Sequence, residues 1–203
     1  FSFDRFDFTE PGVDTARPAV IDAAGTLDWQ QLAQAVAQWE QQALARGARR
    51  DEPLLITGHK ETAFLVAILG CLRLGVPFVP VDVINPPERM ARIATLVQAG
   101  LHYDAQARSF LDTGIAAQPL QEKSLAYIMF TSGSTGDPKG VQIGRESLGL
   151  FAGWIRDCLA LGEAPVFMDQ MLFSFDFSLF NWMGALVTGC LLYTSPSPRD
   201  LST

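Results

Sequence analysis

Residues 125–140 read LAYIMFTSGSTGDPKG. The opening LAYI has the apolar character of a buried strand. The residues after it are crowded with Gly, Ser and Thr and end on a Pro-Lys-Gly unit. Composition alone would make them a flexible linker, but a linker seldom sits directly on so hydrophobic a strand. A phosphate-holding loop fits better. Gly133, Gly136 and Gly140 let the backbone approach an anion closely, so that successive N–H groups point inward as an anion-binding nest. Ser132, Ser134 and Thr135 add hydroxyl donors, and Lys139 adds a full positive charge. In such a site a strand leads into the loop and a helix comes after it. The loop is not a Walker A sequence, because Lys139 stands between Pro138 and Gly140, so GTPases and kinases of that class are disfavoured.

Upstream of this stretch, apolar periodicity alternates between strand and helix. Residues 27–45 predict an amphipathic helix with Leu32, Val36, Trp39 and Ala43 on one face. Asp28 is its N-cap with Gln31 as capping-box partner, and Gly47 its stop. LLIT (54–57) predicts a short buried strand. Residues 62–74 predict a helix that is apolar nearly all round and therefore buried, ended by Gly75. VPFVPVD (76–82) predicts a second strand, its prolines suiting an edge or a strand end. Asn85, Pro86 and Pro87 open a further helix that Gly100 closes. Residues 104–123 are weakly patterned and read as a surface excursion.

Beyond the loop, residues 146–161 predict a helix with Leu150, Trp154, Ile155 and Leu159 on one face. MLFSF (171–175) predicts a strand, and residues 178–187 a helix. There is no internal repeat. The alternation predicts an α/β fold: βαβ units forming a mostly parallel sheet flanked by helices.

The 203 residues suffice for a sizeable core, and 48% hydrophobic with 18% charged residues is a globular composition. A formal net charge of −7 argues against a nucleic-acid surface. The three cysteines have no CxxC or zinc-type spacing, which points to a reduced, cytoplasmic protein. No apolar run reaches the length of a membrane span, and the N-terminus has no signal-peptide pattern. The chain begins at Phe1 and is expected to be a piece of a longer protein.

TSGSTGDPKG resembles the phosphate-loop signature of the AMP-forming adenylating enzymes, which include acyl-CoA synthetases, luciferases and the adenylation domains that charge carrier proteins. GTLDWQQLA resembles that family's first conserved segment, LRLGVPFVPVD its second and FSFDFS its fourth, in the family's order. The resemblance implies that residues 1–189 are the N-terminal part of the large adenylation (AMP-binding) domain. It also implies a two-step reaction: a carboxylate attacks the α-phosphate of ATP to give an acyl-adenylate and pyrophosphate, and a phosphopantetheine thiol of a carrier protein takes the acyl group. ATP and Mg2+ are the implied cofactors. The implied phosphate-binding residues are Thr131, Ser132, Gly133, Ser134, Thr135, Gly136, Lys139 and Gly140. Lys139 is not the family's adenylation lysine, which belongs to a C-terminal domain outside this stretch, and no catalytic side chain is assigned here. The stretch is expected to be inactive alone.

Asp176 stands among Phe173, Phe175, Phe177 and Phe180. A carboxylate desolvated by such neighbours needs a cation, and no Lys or Arg lies nearby in sequence. In the amino-acid-activating branch of the family, the aspartate at this position binds the substrate's α-amino group. The alternative is a cap on the following helix. Within that branch ITGHKE, VPFVPVDVINPPERMARI and GVQIGRESLGLFAGWI are most similar to the stand-alone ligases that load D-alanine onto a carrier protein. Peptide-synthetase modules, acyl-CoA synthetases and a non-catalytic nucleotide-binding module are the alternatives.

His59 and His102 have no partner at motif spacing and read as surface or locally bonded histidines. Cys71, Trp39, Trp154 and Trp182 read as core, and Glu88, Arg89 and Arg92 as a solvated helix face. From Cys190 the sequence CLLYTSPSPRDLST turns to Ser and Pro where the family continues into an apolar strand. It resembles the in-frame translation of a sequencing-library adaptor, so residues 190–203 are expected to be a non-native tail.

Overall fold

Apolar strands separated by helices with caps at their ends give a layered arrangement in the computed structural model, which describes residues 2–3, 14–131, 138–159 and 165–194. The order is β1 (Pro18–Asp22), β2 (Gly25–Asp28), α1 (Trp29–Ala45), β3 (Leu54–Gly58), α2 (Thr62–Leu74), β4 (Phe78–Asp82), α3 (Pro87–Val97), β5 (Leu101–Asp104) and β6 (Ser109–Asp112). It continues through β7 (Leu125–Thr131), β8 (Lys139–Gly144), α4 (Arg145–Cys158), β9 (Val166–Asp169), α5 (Phe177–Thr188) and β10 (Leu191–Thr194).

Two sheets result. One is six-stranded in the order β6-β5-β3-β4-β7-β8, the other four-stranded in the order β2-β1-β10-β9. The pairs β3–β4, β3–β5, β4–β7, β1–β10 and β9–β10 are parallel, while β1–β2, β5–β6 and β7–β8 are antiparallel. The expected α/β architecture with mostly parallel pairing is thus present, divided between two sheets.

The central strands of the six-stranded sheet are buried on both faces, so they are apolar at nearly every position rather than at alternate ones. Leu54, Ile56 and Phe78 point into a core shared with α1, α2 and the four-stranded sheet. Leu55, Val79 and Val81 point the other way, onto Ile93, Ala94 and Val97 of α3. The caps read from the sequence are formed. Asp28 accepts from the Gln31 amide at 2.7 Å while the Gln31 side chain accepts from the Asp28 amide at 2.9 Å. Gly75 closes α2 at φ +70°, a left-handed conformation in which Gly carries no Cβ penalty.

Several expectations are corrected. The weakly patterned region after Asp104 contains β6, which closes a hairpin on β5. α3 ends at Gln98, itself left-handed at φ +54°, and not at Gly100. Pro80 lies in the middle of β4, bonded between β3 and β7, not on an edge. The strand expected at 171–175 is instead β9, and those residues form turns. On α4, Leu148, Ala152 and Ile155 are buried, whereas Leu150 (71%) and Trp154 (49%) are exposed. Trp154 therefore stacks on Phe151 at the surface and is not core, unlike Trp39 and Trp182. The β1–β2 hairpin has no counterpart among the expected elements. Of the residues from Cys190 onward, Leu191–Thr194 form β10 between β1 and β9, and residues 195–203 lie outside the described residues.

α1 and α2 cross where α2 has Gly70. A Cβ built there would lie 2.3 Å from Cε3 of the buried Trp39 indole. Gly153, in α4, has nothing within 4 Å of such a Cβ. Gly70→Ala is therefore expected to cost about 1–3 kcal/mol by overpacking, whereas Gly153→Ala should stabilise by up to about 1 kcal/mol through helix propensity. Urea denaturation of the two variants checks both; equal effects would mean that the helix crossing is not sterically limited.

Candidate active site

The carboxyl ends of parallel strands are where open α/β sheets bind ligands. Here the ends of β3, β4, β7 and β9 surround a cleft of about 1230 Å³. His59 and Lys60 come from the end of β3, Ile84, Asn85 and Arg89 from the connection into α3, and Tyr127, Met129 and Thr131 from β7. Val141 and Ile143 of β8 and the segment from Gln170 to Asp176 complete the wall. β3 and β9 belong to different sheets, so the cleft lies between the sheets.

Polar bonds fix the ends of β3 and β4. Asp82 is 1% exposed. Its Oδ2 accepts from His59 Nδ1 at 2.7 Å and its Oδ1 from the Ile84 amide at 2.9 Å. The Asn85 side chain donates to the Asp82 carbonyl at 2.9 Å. One buried aspartate thus ties together the two connections that line the cleft. His102 is locally bonded as expected, 2.6 Å from Thr57 Oγ1, and burial pushes its pKa down. His59 is locally bonded too, but it faces the cleft. Arg89 also lines the cleft rather than belonging to a purely solvated face, and its Nη2 donates to the Thr131 carbonyl at 3.2 Å.

Of the expected phosphate-loop residues, Thr131, Lys139 and Gly140 are described, and all are exposed. Thr131 ends β7 and lines the cleft. Thr131 pairs with Lys139, and Phe130 with Gly140, in the β7–β8 ladder. Ser132, Gly133, Ser134, Thr135 and Gly136 lie outside the described residues. The loop therefore joins two antiparallel strands. The expectation that it runs into a helix is corrected: β8 intervenes, and α4 begins only at Arg145. The helix therefore does not follow the loop directly in sequence. Gly140 has a packing reason of its own, since a Cβ there would lie 2.8 Å from Ile128 Cγ2.

Asp176 also lines the cleft. It occupies the N-cap position of α5, with φ −61° and ψ −27°, but its side chain makes no capping bond, so the carboxylate is not consumed as a cap. Its surroundings differ from expectation. Asp176 is exposed, and Phe175 (55%) and Phe177 (61%) are exposed with it. The turn bond from the Phe175 amide to the Leu172 carbonyl at 2.9 Å sends successive side chains in different directions. Phe173 turns inward, onto Phe64. Tyr127, on the facing strand, is buried and stacked on Phe78. Burial first, and then the negative charge of Asp176, push its phenol up to about 12. His59, Lys60 and Arg89 are cleft residues not assigned from the sequence; the available signal is that His59 and Lys60 follow the apolar strand LLIT and that Arg89 lies in the first turn of the helix after VPFVPVD.

Among the described residues no helix is long and apolar enough to cross a membrane. A family model described as AMP-binding enzyme matches residues 11–109 and 97–203. A D-alanine–D-alanyl carrier protein ligase of Bacillus velezensis is 35% identical over 182 residues, covering 80% of this chain and 36% of the relative. The corresponding Listeria innocua ligase is 31% identical over 163 residues, covering 69% of this chain and 32% of the relative. The chain thus spans about a third of the length of the curated relatives it matches. Among solved structures, a four-domain nonribosomal peptide synthetase bound to AMP and glycine superposes with a TM-score of 0.75 at 20% identity, covering 97% of this chain and 16% of that one.

The raised Tyr127 pKa has a sign that can be tested. The unfolded chain loses this proton near 10 and the folded chain near 12. Tyr127 therefore contributes its full stability below pH 10 and loses it as the pH rises to 12. Denaturation at stepped alkaline pH should show the parent losing more stability than Tyr127→Phe across that window. Parallel losses would mean that the fold does not hold the phenol proton.

Proposed function

This chain belongs to the AMP-binding enzyme family, and on that premise we propose that it forms the phosphate- and acid-binding part of an AMP-forming carboxylate–thiol ligase. Its acid is an amino acid, with D-alanine the first candidate, and its acceptor is the phosphopantetheine thiol of a carrier protein. The observation that supports this reading is that Thr131, at the root of the phosphate loop, and Asp176 line one cleft.

Such a ligase joins the acid's carboxylate to the α-phosphorus of ATP with release of pyrophosphate, then exchanges AMP for the thiol to leave a thioester. The chain's own residues bind and orient. Thr131 and Lys139 flank the loop, and Ser132, Gly133, Ser134, Thr135, Gly136 and Gly140 supply the remaining hydroxyls and close backbone approach for the β- and γ-phosphates. Asp176 accepts the substrate ammonium by charge-assisted hydrogen bonds. The donor set fits a polyanion, because His59, Asn85 and Arg89 line the same cleft. Its volume exceeds the roughly 300–1,000 Å³ of an ordinary small-ligand pocket, leaving room for a nucleotide beside a small acid.

Among the described residues no group of three or more His, Cys, Asp or Glu is placed to hold a metal ion. Mg2+ enters this reading with the nucleotide, and no step is assigned to it. The names of the relatives support D-alanine and a carrier protein. Three free cysteines support a reducing, cytoplasmic setting.

ATP–pyrophosphate exchange by the full-length protein, run against amino acids and fatty acids, tests the assignment. Exchange is expected with D-alanine, and Asp176→Ala should reduce amino-acid-dependent exchange by about 10-fold at the least, the worth of a hydrogen bond to a charged group. Exchange with fatty acids alone would overturn the amino-acid reading. Exchange with no acid would leave a nucleotide-binding module.

A further inference from the structure

The segment that carries Asp176 is neither strand nor helix between Gln170 and Asp176, yet it must hold a carboxylate in place for a ligand as small as an amino acid. Its root is held from outside. Lys60 is 8% exposed, and its Nζ donates to the Gln170 carbonyl at 2.8 Å. Lys60 follows β3 of the six-stranded sheet and Gln170 follows β9 of the four-stranded sheet, so this bond spans the two sheets along the cleft.

The neighbouring Asp169 is 1% exposed. Its Oδ1 accepts from the Met171 amide at 3.1 Å and from the Asn181 side chain at 3.1 Å. Its Oδ2 is buried without a hydrogen-bond partner. The Lys60 charge acts on this carboxyl, opposing the upward push of burial. Lysine is among the residues least often buried, and taking an ammonium out of water costs several kcal/mol. A lysine needed only for solubility would not be placed here. Within the segment itself the Phe175–Leu172 turn bond is local, and the buried Phe173 packs on Phe64; the Lys60 bond adds a tie at the segment's root, to the other sheet.

We propose that Lys60 is a positioning residue for substrate recognition: by pinning the Gln170 carbonyl it sets where the 170–176 segment presents Asp176 to the amino group of the acid. The inference rests on the reading of Asp176 given above. It requires Lys60 to act on the acid and not on the nucleotide, although Lys60 also lines the cleft.

Lys60→Met keeps the length and removes the bond. In the full-length protein it should raise KM for the amino acid about 10-fold or more, as expected for a lost hydrogen bond to a charged donor, and leave KM for ATP unchanged. Hydrogen exchange of the amides from Met171 to Asp176 should quicken while that of β3 does not. Equal rises in both KM values, or no rise in either, overturn the proposal. If Lys60→Met does not fold, Lys60→Arg, which keeps a charged donor but shifts its position, decides by the same split: a selective rise for the amino acid supports the proposal, and an equal rise or none overturns it. Asp176→Ala run beside it separates the two ideas. Loss of exchange in Asp176→Ala with no selective effect at Lys60 removes only the role of Lys60. Unchanged exchange in Asp176→Ala removes the reading of Asp176, and the proposal with it.

Discussion

Pro80 stands in the middle of a strand bonded on both sides, where a missing N–H has to fall somewhere. The Val83 amide donates to the Gly58 carbonyl at 3.0 Å and the Leu54 amide to the Pro77 carbonyl at 2.9 Å. Odd-numbered residues of β4 therefore bond β3, and even-numbered ones, Pro80 among them, face β7. The ladder to β7 is correspondingly reduced to the pair Phe78–Tyr127, while the ladder to β3 keeps its register from Leu54–Phe78 to Gly58–Asp82. A proline is tolerated because its missing N–H falls on the β7 side, where the registered ladder is the single pair Phe78–Tyr127. At the carboxyl end of β4, Asp82 holds the turn into α3. It does so through His59, Ile84 and Asn85.

Among the described residues, buried polar groups gather at this end of the molecule and are rare elsewhere in the apolar core. Asp82, Asp169, Lys60 and Thr57 are each less than 9% exposed. In a sheet covered on both faces, a charged group costs stability unless it is bonded, so the charged ones do not serve the core. Each bonds a segment that leaves a strand: Asp82 the turn into α3, Asp169 the turn toward α5, Lys60 the carbonyl after β9. The apolar layers fix where the strands end, and the polar groups fix what the chain does immediately afterwards.

The same division explains what could be read from the sequence. α1 and α2 were legible to within a residue or two because their periodicity and caps are local properties, and Asp28 with Gln31 satisfies end groups that any helix leaves open. β5, β6 and β8 were not legible because each is short and carries little pattern of its own; LHYD and KGVQIG are too weakly apolar to announce a strand alone. Trp154 at helical spacing says nothing about whether a neighbour covers that face, and among the described residues it stays half exposed. The phosphate loop was legible by composition, but the strand after it was not. Lys60, Arg89 and His59 follow apolar strands in the sequence, but only the adjacency of β3 and β4 in the six-stranded sheet brings them to one cleft.

Asp176 is legible in the sequence for a reason the structure replaces. Desolvation among phenylalanines marks it out, yet the carboxylate is exposed and its flanking rings are too. An exposed carboxylate has little cost to recover, and an ion pair in water is worth only about 0–1 kcal/mol. Selection of an ammonium here has to come from the ligand completing the site. On the proposed reading, an acid bound at Asp176 would displace the water that weakens such a pair, and the lower local dielectric would strengthen the attraction. The site is therefore selective only to the degree that the 170–176 segment is held still, since a carboxylate free to move would meet its ligand in water. On the same reading, a fixed 170–176 segment is what would turn a weak surface charge into a discriminating one.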